Sequence, residues 1–222
     1  MEPREATEKA PLKPDDGRLL RGRRSRARIR EAARTLFHER GFDRATLREI
    51  AARAGMGASS IYRHVRSKEE LLVTELAQHQ EKAWQQFRRD MPQPENTRQR
   101  VQRFLDIQHE LLSADADWSR IALRATTHGE GRAARHVLAL HDRGIGLLAE
   151  ILQNGRMRGD LRREVDVLEA ARAIFHIALG ARIPWANGLI PSETCRRSIA
   201  TAVDLLFHGL RAENTPPTEA QA

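Results

Sequence analysis

The sequence predicts an all-α fold of about nine helices. Three observations lead there. Apolar residues recur at spacings of three and four along almost the whole chain. The alternating apolar and polar runs of a half-buried strand are absent from the sequence. Helix start signals, with glycine and proline stops, cut the periodic stretches into segments of helical length.

The elements follow in order. Residues 1–17 mix charge, Pro and Gly without an apolar period, the composition of a disordered segment. RLLRGRRSRARIR (18–30) then places seven arginines in thirteen residues. Its first part reads as a flexible basic arm, giving an arm over 1–25, and its end merges into a helix. That helix carries Ile29, Ala32, Ala33, Leu36 and Phe37 on one face, and Gly41 stops it. Thr46 and Glu49 fit a capping box for a second helix, whose narrow apolar face is Leu47, Ile50, Ala51 and Ala54. Gly55 ends it. A third, short helix is expected from about Ala58 to His64, with Ile61 and Val65 pointing inward. Ser67 and Glu70 fit a second capping box, opening a long helix to about Arg89.

Pro92 and Pro94 break that helix. Val101, Phe104, Leu105, Gln108, Leu111 and Leu112 make the next stripe. Another begins near Asp117 with Ile121, Leu123 and Ala125, and a longer one runs from Val137 to Leu152. NGRMRGDLR (154–162) reads as a turn-rich connection. An apolar helix from Val165 to about Ile183 is expected to close at Pro184, Asn187, Gly188 and Pro191. Ser192 and Glu193 start the last helix, through Leu210. The domains expected are a small three-helix unit over 26–70, a larger helical unit over 71–211 and a frayed tail over 212–222.

Charge locates the function. The formal net charge is +8, and through Glu70 there are 18 Lys and Arg against 11 Asp and Glu. From Leu71 onward the two signs nearly balance, 20 against 19. A positive excess confined to one segment points to nucleic acid more than to a merely solvated face, with a membrane surface as the other acidic partner of this class. The single cysteine, Cys195, excludes an intramolecular disulfide and a multi-cysteine zinc site. No histidine pair has H-x3-H spacing, so neither a metal nor a cofactor is expected. The sequence contains no G-x-S-x-G, H-E-x-x-H, P-loop or dinucleotide fingerprint, so no enzyme is expected either. The N-terminal stretch has acidic residues and no apolar core, and no apolar run approaches membrane-span length. A cytoplasmic protein is the expectation.

The stretch GMGASSIYRH (55–64) concentrates the chemistry. Two helices joined by a short glycine-containing turn have helix-turn-helix geometry, in which the second helix enters the major groove. Small residues at the leading end allow close backbone approach, and the helix N-terminus offers N–H groups to phosphate. Ser59 and Ser60 are short donors, while Tyr62, Arg63 and His64 reach further. Arg63 shares a face with Ser59 and has the fork geometry that pairs with guanine. Lys68 adds a phosphate contact.

The segment AARTLFHERGFDRATLREIAARAGMGASSIYRHVRSKEELL resembles the DNA-binding region of the TetR family of bacterial transcriptional regulators. The resemblance covers roughly residues 26–72. It rests on Leu36-Phe37, Gly41-Phe42, Thr46, Ile50-Ala51, Ala54-Gly55, Ile61-Tyr62, His64 and Ser67-Lys68-Glu69. It implies a three-helix DNA-binding domain, then a helix leading into a larger domain that dimerises and binds a small effector. By position, Thr46, Ser60, Tyr62, His64 and Lys68 match backbone contacts, and Ala58, Ser59 and Arg63 match positions facing base edges. Arg48 joins this DNA-facing set. Two departures bear on the operator. Gly57 stands where the family usually has Ser, and it caps without a side-chain acceptor. Ser59 stands where Gly or Pro is frequent.

The same resemblance implies a homodimer built on the segments 164–187 and 191–211, reading a palindromic double-stranded DNA operator. Candidate effector liners among the middle helices are Phe104, Gln108, Trp118, Arg124, His128, His141, Phe175 and His176. The function expected is a repressor released by a small, hydrophobic effector. The alternative is a DNA-binding regulator or architectural protein with no effector, whose core would be solid.

Overall fold

The computed structural model describes residues 17–90, 95–126 and 131–210. Nine helices and no strand occur among the described residues. They are α1 (Gly17–Arg40), α2 (Leu47–Arg53), α3 (Ala58–Ile61), α4 (Lys68–Arg89), α5 (Thr97–Ala114), α6 (Ala116–Thr126), α7 (Gly131–Met157), α8 (Val167–Ala186) and α9 (Ser192–Leu210). The chain divides into two compact units, the first ending at Lys68 and the second beginning at Glu69.

In the first unit the expected apolar face of α1 is the core. Ile29, Ala32, Ala33, Leu36 and Phe37 are all buried, against Ile50, Ala51, Ala54, Ile61 and Val65. Gly41 and Gly55 adopt positive φ (79° and 64°), which stops α1 and α2 where a side chain would be strained. Two ion pairs of 2.7 Å, Arg40 with Glu49 and Arg53 with Glu39, join α2 to the end of α1. The arm expected over 1–25 needs correction, because residues 17–25 are the first turns of α1. Arginine, alanine and leucine are good helix formers, and a helix nucleated by the packed stripe propagates outward through them. Residues 1–16 and the tail from 211 lie outside the described residues.

In the second unit, α5 packs against α6, α7 and α9, and α8 packs against the same three helices. Trp84, Phe87 and Phe104 form an aromatic cluster joining α4 to α5, with ring centroids 5.4–5.6 Å apart. Asn96 caps α5 in a capping box with Gln99, and Asp166 caps α8. The buried residues of α7 are Val137, Gly144, Ile145, Leu147, Leu148, Ile151, Leu152 and Gly155, while Leu138 faces outward. Two expected stops are passed. α7 continues through Asn154 and Gly155 to Met157, because Gly155 is packed directly against Thr97. α8 continues through Pro184 to Ala186, because Trp185 and Ala186 are buried.

Candidate functional site

The first site is the surface around α3. Thr46 receives a hydrogen bond from the Glu49 N–H on its hydroxyl (3.3 Å), and its own N–H donates to Glu49 Oε2 (2.9 Å). The hydroxyl also donates to Glu49 Oε2 at 2.8 Å, so it is already engaged. These hydrogen bonds hold the Glu49 carboxyl below its ordinary pKa. Gly57 caps α3 with no side-chain bond.

α3 is shorter than expected. It closes as a helix at Ile61, and Tyr62, Arg63 and His64 follow on single turns. Arg63 N–H donates to Ser60 O and His64 N–H to Ile61 O, a three-residue repeat tighter than an α-helix. Val65 N–H then returns to Ile61 O at 2.9 Å, and both Ile61 and Val65 are buried.

Thr46, Arg48, Ala58, Ser59, Tyr62 and Arg63 are exposed, and Ser60, His64 and Lys68 are half-buried. Tyr62 is 59% exposed, unusual for a large aromatic ring in an otherwise well-packed unit. Arg63 Nη2 donates to Ser60 Oγ at 2.5 Å, which holds the guanidinium beside the leading turn. On α1, Arg21, Arg23, Arg24, Arg26, Arg28 and Arg30 are all exposed.

Lys68 differs from the rest. Its Nζ donates to the carbonyls of Phe42 (2.8 Å) and Asp43 (2.9 Å) and lies 4.5 Å from the Phe42 ring centre. It therefore pins the α1–α2 turn, with one of its three donors left over. Lys68→Met is expected to lower stability by about 1–3 kcal/mol through loss of charge-assisted bonds. Thermal unfolding reads this directly. A salt dependence of DNA binding that falls by about one ion in the same variant adds a phosphate role; an unchanged slope assigns Lys68 to the turn alone.

The second site lies in the second unit. A cavity of about 70 Å³ is lined by residues of α4 through α8: Leu76, His79, Gln80, Gln108, Leu112, Leu123, Thr126, Leu140, His141, Phe175, Leu179 and Arg182. Of the candidate liners, Gln108, His141 and Phe175 meet here, with the His141 and Phe175 rings 5.0 Å apart. Phe104 belongs instead to the aromatic cluster, and Trp118 is buried in the core away from the lining. Arg124 and His176 are exposed, and His128 lies outside the described residues. Burial, then the neighbouring His176 charge, holds the His141 imidazole below its ordinary pKa.

Sequence reasoning missed Arg182, although its spacing carried a signal. It falls on the stripe Ala171, Ile174, Ala178, Trp185, all buried, and is itself only 8% exposed. His109, also missed, bonds Ser192 Oγ (2.8 Å) and Ser192 O (3.1 Å) through Nε2, tying α5 to the start of α9. Cys195 Sγ stands 4.0 Å from His109 Nδ1, but the thiol is fully buried and burial pushes its pKa up, so it is no activated nucleophile.

A capped helix, a glycine turn and a short helix with an exposed leading face define a helix-turn-helix DNA-binding domain. Residues 29–74 match the family of bacterial regulatory proteins described as the tetR family. The match places the family's DNA-binding segment at the N-terminal unit of this chain. It is 24% identical over 160 residues to the HTH-type transcriptional regulator UidR of Escherichia coli K12, covering 70% of this chain and 79% of UidR. Among solved structures it shares the fold of Thermus thermophilus FadR, a TetR-family repressor in complex with lauroyl-CoA. That match has a TM-score of 0.71 at 22% identity, over 89% of this chain and 99% of the other. Bacillus subtilis FadR in complex with stearoyl-CoA has the same fold at a TM-score of 0.68 and 18% identity, over 83% and 99% of the two chains. No helix among the described residues is long and apolar enough to cross a membrane.

Proposed function

We propose that this chain is a ligand-responsive repressor that binds a palindromic operator as a homodimer and is released by a small, largely apolar effector. The observation that carries the reading is the α3 surface. Ile61 and Val65 are buried while Ser59, Tyr62 and Arg63 stand exposed on the leading side, arranged for a groove rather than for the chain's own core. Ser59 and Arg63 face base edges in this reading, and Ser60, Tyr62 and His64 face the backbone, with Thr46 and Arg48 beside them.

The cavity favours the effector reading over an architectural one, which calls for a solid core. The acyl-CoA complexes of the two FadR proteins support an apolar effector class. Exposed Leu168 and Ile183 on α8 and Leu205 on α9 supply the apolar surface that a second subunit would cover. Effector binding then shifts the population toward a state with weaker operator affinity.

Genome-wide footprinting of the bound chain tests this. The expected result is a recurring two-fold symmetric site with half-sites one helical turn apart or a multiple of it. Lauroyl-CoA is then added to the chain on that site, and release is expected. Protection without any recurring symmetric sequence overturns the operator reading.

A further inference from the structure

Arg182 is the unusual group in the cavity. It is 8% exposed, it lines the cavity, and among the described residues its hydrogen bonds go to a carbonyl and an amide oxygen and to no carboxylate. Its Nε is buried with no hydrogen-bond partner. Its remaining contacts are long, 3.4 Å to Leu105 O and 3.3 Å to Gln108 Oε1. Burial draws the guanidinium down to about 10 from its ordinary 12.5, opposed first by Cys195 and then by Asp106. A buried cation with an open donor is costly unless something satisfies it. Across the same cavity, Gln80 Oε1 is also buried without a partner, and that amide can present its NH₂ group instead by turning over. The other walls are mostly leucine and Phe175.

We propose that this cavity receives the carboxylate of an amphiphilic organic acid, paired with Arg182, while the acid's hydrocarbon lies against Leu76, Leu112, Leu140, Phe175 and Leu179. This deepens the effector reading above and rests on it. The arginine fork offers Nε and a terminal nitrogen to the two carboxylate oxygens, a geometry that an alcohol or a neutral amide cannot match. The leucines supply affinity through the hydrocarbon.

The test is thermal unfolding of the full chain with hexanoate, against 1-hexanol and hexanamide at equal concentrations. Hexanoate is expected to raise Tm by about 5 °C at a hundredfold excess over its Kd, and the neutral compounds by less than about 1 °C. Arg182→Met is expected to abolish the hexanoate shift while leaving the ligand-free Tm unchanged or higher, since it removes a buried charge at similar volume. Arg182→Lys is expected to keep part of the shift. Equal shifts from hexanol and hexanoate, or a full hexanoate shift in Arg182→Met, overturn the carboxylate site, as does no hexanoate shift in the unaltered chain. Lauroyl-CoA separates the two readings. If it shifts Tm and releases operator where hexanoate does nothing, the carboxylate site falls and the effector reading stands. If neither compound acts and an unbiased compound screen leaves operator binding unchanged, both fall.

Discussion

Gly155→Ala is expected to destabilise the chain by about 3 kcal/mol, the upper end of the range for overpacking. A Cβ at this position would stand 1.9 Å from Thr97 Oγ1 and 2.6 Å from Thr97 Cγ2. Thr97 cannot simply turn away. Its hydroxyl donates to Asp160 Oδ2 at 2.6 Å, its N–H donates to the same oxygen at 3.1 Å, and Arg158 Nη2 donates to the hydroxyl at 3.1 Å. Relieving the clash therefore breaks a part-buried network or separates α7 from α5. For a chain of this size the loss corresponds to a Tm decrease of about 6–12 °C. Gly146→Ala is the control in the same helix. Its Cβ would meet nothing within 4 Å, so the gain in helix propensity, up to about 1 kcal/mol, is all that remains. If both variants melt together with the unaltered chain, the close approach at Gly155 is not a determinant of stability.

Arg63→Ala is expected to remove about 1–3 kcal/mol of discrimination at one base position in each half-site. In the free protein the guanidinium is held against Ser60 Oγ, on the exposed side of a turn whose other side is buried. Selection of bound sites from a random pool measures the change as relaxed preference at one position. A uniform loss of affinity with the preference intact assigns Arg63 to the phosphates instead.

Much of the DNA-binding unit was legible because its determinants are local. The α1 stripe, the Thr46–Glu49 capping box and the glycine stops each depend on residues a few positions apart, and all appear as read. The helical start of α1 was not legible, because an arginine-rich segment has no apolar period although it propagates an existing helix readily. The three-residue turns after Ile61 were not legible, because burial of Ile61 and Val65, four apart, is the pattern a longer helix would also give. Gly155 and Pro184 read as stops because both residues weaken helices. Their neighbours decided otherwise: Thr97 lies far away in sequence, and Trp185 is held by tertiary burial. The cavity lining draws on five helices, so only Gln108, His141 and Phe175 of the candidate liners reach it. Phe104 packs in an aromatic cluster and Trp118 is buried in the core, and in a core large rings pack with other rings as readily as they line a space.

The cavity's size has a thermodynamic consequence. At about 70 Å³ it is less than half of the roughly 150 Å³ that admits one benzene ring. Phe175 and Gln80 are held close beside Gly144, where even an added methyl would stand 2.6 Å from the ring and 2.7 Å from the amide. An effector larger than this space selects a widened conformer that is a minor part of the ensemble. Its apparent affinity is then its intrinsic affinity scaled by the population of that conformer. Reciprocity follows: operator DNA that favours the narrow form weakens effector binding by the same factor by which effector weakens operator binding. For the proposed ligand-responsive regulator, the seat of the Phe175 ring against Gly144 would then set the concentration of response, separately from any contact the effector makes.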